Sequence, residues 1–86
     1  PMRSILNTGL HATSHSDAPV ALPNLMQVVW ATVNRTSRSG AVIGRDQRVT
    51  PYEAMKMITL WGAEQFGEQK TKGSLEPGKL ADMVIL

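Results

Sequence analysis

Leu10-His11-Ala12-Thr13-Ser14-His15-Ser16-Asp17-Ala18-Pro19-Val20 gathers two histidines, two serines and an aspartate at the end of a weakly β segment. Gly9 before it and Pro19 within it favour a strand over a helix. His11 and His15 would then share a face, with their backbones about 13 Å apart at the usual rise per residue. That is too far for both to hold one metal, so His11 reads as a surface polar residue. Asp17 is sharper. A carboxylate where a strand ends can contact a metal and take a proton from activated water. The same residue shortly before a proline can instead shape an Asx-turn. Local pattern favours the turn and leaves the catalytic reading open. His15 and Ser16 would be neighbours of any site built there.

The whole chain has 86 residues, room for one small domain. Hydrophobic residues at 42% and charged residues at 19% give a globular balance. The absence of cysteine removes disulfides, thiolate metal sites and thiol nucleophiles, and fits a cytoplasmic setting. The net charge is +2, carried by five arginines and four lysines with no dense run. A nucleic-acid footprint would cluster, so no nucleic-acid partner is expected. No apolar run approaches a membrane span, and the start has no signal-peptide core. A chain that opens on Pro1 and closes on the strand-like Met83-Val84-Ile85-Leu86 reads as a piece of something larger.

Downstream of Pro19 and Pro23, periodicity predicts a helix over residues 24–38. Asn24 caps it, and Leu25, Val28, Val29, Thr32 and Val33 form one apolar face. Residues 36–49 read as a long loop, with Ala41–Ile43 as a short packed segment. Thr50-Pro51-Tyr52-Glu53 is a capping box with proline at the first helical position, opening a helix over 50–67 that stops at Gly67. Met26, Trp30, Met55, Met57 and Trp61 read as core. Gly62 reads as a site of close packing. In the tail, Glu76-Pro77-Gly78-Lys79 has the pattern of a type II turn, with Pro77, Gly78 and Asp82 as structural residues. Leu80–Leu86 then reads as an apolar strand.

Three stretches carry a specific likeness: Thr8–Val20, Arg48–Met55 and Lys72–Leu86. In this order and spacing they resemble the C-terminal end of a metal-dependent amidohydrolase, most closely the branch that includes N-substituted formamide deformylases. The resemblance implies an α/β fold: the last strand and following helices of a (β/α)8 barrel, plus C-terminal strands of a small β-sandwich, an incomplete domain. Residues 1–70 would be the end of the barrel, with a strand over 10–16. Residues 71–86 would rejoin the sandwich. Asp17 would match the family's strand-eight aspartate, which contacts metal and works as general base. That agrees with the siting of barrel catalysts at the C-terminal ends of strands.

The family's other metal ligands come from earlier strands, mostly as histidines, and no such set exists here. The expectation is therefore a piece of a hydrolase acting on amide-type, non-peptide C–N bonds, inactive alone. A divalent metal, zinc being the expected one, belongs to the parent and is not held tightly by the piece. The expected partners are the rest of the barrel and a small-molecule amide, with self-association of the isolated piece. The alternative reading is a non-catalytic interaction or regulatory domain.

Overall fold

The strongest local signal forms as the sequence predicts. In the computed structural model, which describes residues 1–86, the Thr50 hydroxyl accepts the Glu53 N–H at 3.2 Å, and Glu53 Oε2 accepts the Thr50 N–H at 2.7 Å. Two of the orphan donors at the helix start are thereby satisfied. With Pro51 at its first position, this box opens α3, Pro51–Ile58. Before it come α1, Met2–Asn7, and α2, Leu25–Asn34. A 3-10 turn, Arg45–Gln47, precedes α3, and α4, Leu60–Gln65, follows it.

The second half of the expected helix departs from the sequence pattern. Periodicity predicts one helix over 50–67, yet it breaks at Thr59, where φ is −128° and ψ −94°. The Thr59 hydroxyl turns back to the Met55 carbonyl at 2.8 Å, a local bond that competes with a regular helix. After the break, Ala63 N–H donates to the Thr59 carbonyl at 3.0 Å and the helix resumes. Gly67, at φ +72°, ends the unit where expected.

α2 is shorter than the predicted 24–38. Asn24 caps it, accepting the Gln27 N–H at 3.2 Å. It stops at Arg35, which takes a left-handed φ of +53°. Residues 36–43 fold back instead of extending the helix: Thr36 bridges Val42, and Ile43 N–H donates to the Arg35 carbonyl at 2.8 Å. The Arg35 and Arg48 side chains tie this turn down by donating to the Ile43 and Asn34 carbonyls.

The core lies between α2 and α3. Val29, Val49, Ala54, Met57 and Trp61 form one buried cluster, edged by Met2, Leu6, Ala12 and Val33. Only six of the 86 residues are buried, so the hydrophobic contribution is small for the chain length. Met57 and Trp61 are core as expected, but Met26 and Trp30 are exposed. A Cβ on Gly62 would meet nothing within 4 Å, so close packing is not its role. That role falls to Gly73. At φ +93°, its added Cβ would sit 2.8 Å from the Ala63 Cβ and 3.0 Å from the Leu60 Cα.

Residues 10–16 and residues 80–86 form no strand. A barrel or sandwich strand takes its hydrogen bonds from neighbouring strands, and this chain offers none. The Glu76–Lys79 turn does form, with Gly78 at φ +92° and Lys79 N–H donating to the Glu76 carbonyl at 3.1 Å. Beyond it, Met83 to Leu86 are exposed, Ile85 completely. They border an apolar cavity of about 1100 Å³ whose other walls include Leu25, Met55, Ile58 and Phe66. No helix is long and apolar enough to cross a membrane.

Candidate functional site

The helices carry the 10–16 segment across their surface by four contacts. The His11 ring stacks on Trp61, with centroids 4.5 Å apart and planes 14° from parallel. Its Nδ1 meets the Glu64 carboxylate. The Thr13 hydroxyl donates to Gln65 Oε1 at 2.8 Å. Ser14 N–H donates to the Met57 carbonyl at 3.3 Å. The Met57 carbonyl lies near the end of α3, two residues before the break at Thr59.

The segment then reverses. Asp17 N–H donates to His15 Nδ1 at 3.0 Å, so the neutral imidazole carries its proton on Nε2. Asp17 takes a left-handed φ of +53°, the Ala18–Pro19 peptide is cis, and Val20 N–H donates to the Asp17 carbonyl at 2.8 Å. The Asx-turn expected of Asp17 does not form, because no N–H donates to its carboxylate; the reversal is closed by the backbone. The Asp17 carboxylate is exposed and engages no protein group. The left-handed conformation costs a non-glycine residue about 1 kcal/mol. Ser16 is half-buried and His15 exposed beside it.

The free carboxylate can accept a proton or join a metal's ligand set. It cannot build that set alone. No three His, Asp or Glu side chains converge anywhere in the chain. His15 uses Nδ1 on the Asp17 amide, and His11 faces Glu64 instead of Asp17. These residues by themselves do not fit a metal site.

The other acidic residues have structural settings. Arg3 grips Glu53 with two bonds, 2.8 and 2.6 Å, and also donates to the Arg48 carbonyl at 3.1 Å. The Arg3 guanidinium, helped by the Thr50 amide, holds the Glu53 carboxyl at about 2, against an ordinary 4.5. Glu76 is also lowered, by Lys79 and then by the Ser74 hydroxyl. The Lys79 ammonium donates to the Ser74 hydroxyl at 2.7 Å and pairs with Glu76 at 2.8 Å. Pro77 and Gly78 occupy the turn itself. Asp82 is exposed beyond it, without a hydrogen bond, and helps Glu68 raise the Lys72 pKa.

Sequence reasoning missed the anchors of the Asp17 segment. His11 was read as a surface polar residue, and its partners Trp61 and Glu64 lie 50 and more positions away. The one local signal was Thr59, a β-branched residue able to back-bond inside a predicted helix.

Comparison with known proteins gives this geometry a family. The chain is 34% identical over 86 residues to an N-substituted formamide deformylase of Arthrobacter pascens, covering all of this chain and 16% of that protein. It is 30% identical over 87 aligned positions to a 5-methylthioadenosine/S-adenosylhomocysteine deaminase of Thermodesulfovibrio yellowstonii, covering all of this chain and 19% of the relative. A stretch of 37 residues is 54% identical to an imidazolonepropionase of Pseudomonas fluorescens, covering 43% of this chain and 9% of that protein. The chain thus spans less than a fifth of the length of these relatives. No solved structure matches. The amidohydrolase family model aligns with residues 1–86 without remainder, and on that match, together with the similarity to the deformylase over the whole of this chain, this chain belongs to the amidohydrolase family.

Proposed function

We propose that this chain forms the C-terminal part of a metal-dependent hydrolase that cleaves amide-type, non-peptide C–N bonds in small molecules, with Asp17 as its general base. Family membership supports the hydrolase class, and relatives named for deformylation and deamination support the C–N bond. The observation that carries the residue assignment is Asp17 itself. An anchored segment ends in a non-glycine residue at positive φ, with a carboxylate that no protein group occupies. Such local cost at the end of a braced segment supports a functional role.

In the complete enzyme, residues 10–16 would be the last barrel strand and 71–86 would join a sheet from other parts of the protein. A divalent metal, zinc in our reading, would activate water and polarise the scissile carbonyl. Asp17 would contribute a ligand contact and receive the water's proton. His15, held to the Asp17 amide, would set the shape of the turn. The isolated chain lacks the remaining ligands and would neither bind the metal tightly nor turn over. It would self-associate through its uncovered apolar residues and unpaired segments. The absence of cysteine supports a cytoplasmic location.

In the full-length enzyme, Asp17→Asn should lower kcat by about 10²–10⁴-fold, the usual scale for a lost general base, while circular dichroism stays unchanged. A rate within threefold of wild type would remove Asp17 from the mechanism. A folded variant that keeps turnover, together with partner capture by the isolated chain, would favour the interaction-domain reading.

A further inference from the structure

The Asp17 carboxylate touches nothing in the chain, so its aim is set by what holds the backbone before it. Three side-chain and main-chain bonds and one ring stack on two helices do this, beside the packing of Ala12 at the edge of the core. Ser14 is fixed at the Met57 carbonyl and Thr13 at Gln65. His11 is the most elaborate anchor. One ring face covers buried Trp61 and one ring nitrogen meets Glu64. Lys56 lies 4.8 Å from the centroid of the same indole, so His11 and a cation both contact one aromatic ring. Between Ser14 and Asp17 the only further restraint is the short loop closed by His15.

We propose that His11 is a positioning residue for Asp17. By stacking on Trp61 and pairing with Glu64, it fixes where the segment leaves the helices and so the direction in which the carboxylate is presented. The proposal rests on the reading of Asp17 as the base, and it adds a distant pair to that site. Six residues separate His11 from Asp17, and about 1 Å of drift at a reacting group can cost up to ~100-fold in rate.

Two measurements test it. In the 86-residue chain, amide exchange and 15N relaxation of Ser14 and Asp17 report the segment directly. His11→Ala should lower Ser14 protection about tenfold, which corresponds to one lost anchor of ordinary strength, and should broaden the Asp17 signal, with the α2–α3 core unchanged. His11→Phe keeps the stack and should restore most of the protection. Unchanged Ser14 and Asp17 behaviour in His11→Ala overturns the proposal. If His11→Ala unfolds the chain, Glu64→Gln is read instead, with a smaller loss expected at the same two amides and no change overturning the idea. In the full-length enzyme, formate release from a panel of N-alkyl and N-aryl formamides should show kcat about tenfold lower for His11→Ala, KM within twofold of wild type, and rescue by His11→Phe. Equal loss in both variants, or loss in KM alone, also overturns it. Asp17→Asn in that assay separates the two readings. Full turnover there removes the base assignment, while the anchoring of residues 11–17 still stands or falls on the exchange data.

Discussion

Residues 10–17 and residues 80–86 both lie outside the helices, yet they differ in what holds them. The first segment is pinned by a stacked ring and by hydrogen bonds to Met57 and Gln65. The second is tied at its start, where Leu80 N–H donates to the Thr71 carbonyl at 2.8 Å, and beyond that its apolar side chains face solvent. The more polar stretch is the better anchored. Polar groups found partners within the chain, whereas Met83-Val84-Ile85-Leu86 would need a sheet to bury against, and no sheet is present. An apolar run states a requirement for a partner, and the requirement is met only if the partner surface is available.

The comparison can be broken most severely at Trp61, which serves both the core and the His11 stack. Trp61→Ala should cost about 3–5 kcal/mol. In a chain with so small a core, that should abolish cooperative thermal unfolding by circular dichroism. A sharp transition within 5 °C of wild type would show that the anchored half does not depend on this ring.

Next in size is the joint between the halves. Gly73→Ala forces a side chain into a left-handed position against Ala63 and Leu60, and should cost about 3 kcal/mol from overpacking and backbone strain together. Urea unfolding of Gly73→Ala beside Gly78→Ala sharpens the point. Position 78 is also left-handed but open, so its loss should be the smaller. Equal losses would mean that only the backbone angle matters.

The Arg3–Glu53 pair closes α1 onto the capping box. Glu53→Ala should cost about 1–2 kcal/mol, the range for a lost cap, and Glu53→Gln less, because the amide oxygen still accepts from Thr50. The folded carboxyl is held at about 2 against an ordinary 4.5. Its stabilisation is therefore complete above about 4.5 and is lost as the pH falls through about 2. Unfolding midpoints of wild type should fall on acidification across that window, and those of Glu53→Gln should fall less. Parallel curves would deny the pair this role.

The smallest effect on folding belongs to the tail. Ile85→Ser should change monomer stability by no more than about 0.5 kcal/mol, as for an exposed position. It should nonetheless reduce association in sedimentation velocity at micromolar concentrations. A folding loss above 1 kcal/mol would show that the tail is held after all.

These contrasts also mark how much was legible in the sequence. Thr50 with Glu53, Asn24 with Gln27, and the glycines at 9, 67 and 78 all act within a few residues, and each appears where its chemistry predicts. The reversal at Asp17 was legible because its neighbours are local, although the backbone closes it and not the aspartate side chain. The break at Thr59 was not, since a strong apolar period over 54–66 outweighs one back-bonding hydroxyl in any local reading. His11 with Trp61 and Arg3 with Glu53 are 50 positions apart. Nothing in a linear pattern names such partners, and folding alone brings them together. Strands over 10–16 and 80–86 were expected from periodicity and resemblance, but pairing is a property of two segments, and a linear pattern in one of them names no partner.

The break at Thr59 bears on how such a protein can be engineered. Replacing Thr59 by alanine or leucine would raise helix propensity and invite α3 and α4 to fuse into one smooth rod. Fusion would move the helix end whose Met57 carbonyl accepts from Ser14, and would shift the surface on which Gly73 rests. A stabilisation campaign that scores helices one at a time would select that change and loosen both segments the helix carries. Here the imperfect helix works as a bracket with two mounting points, and straightening it removes them.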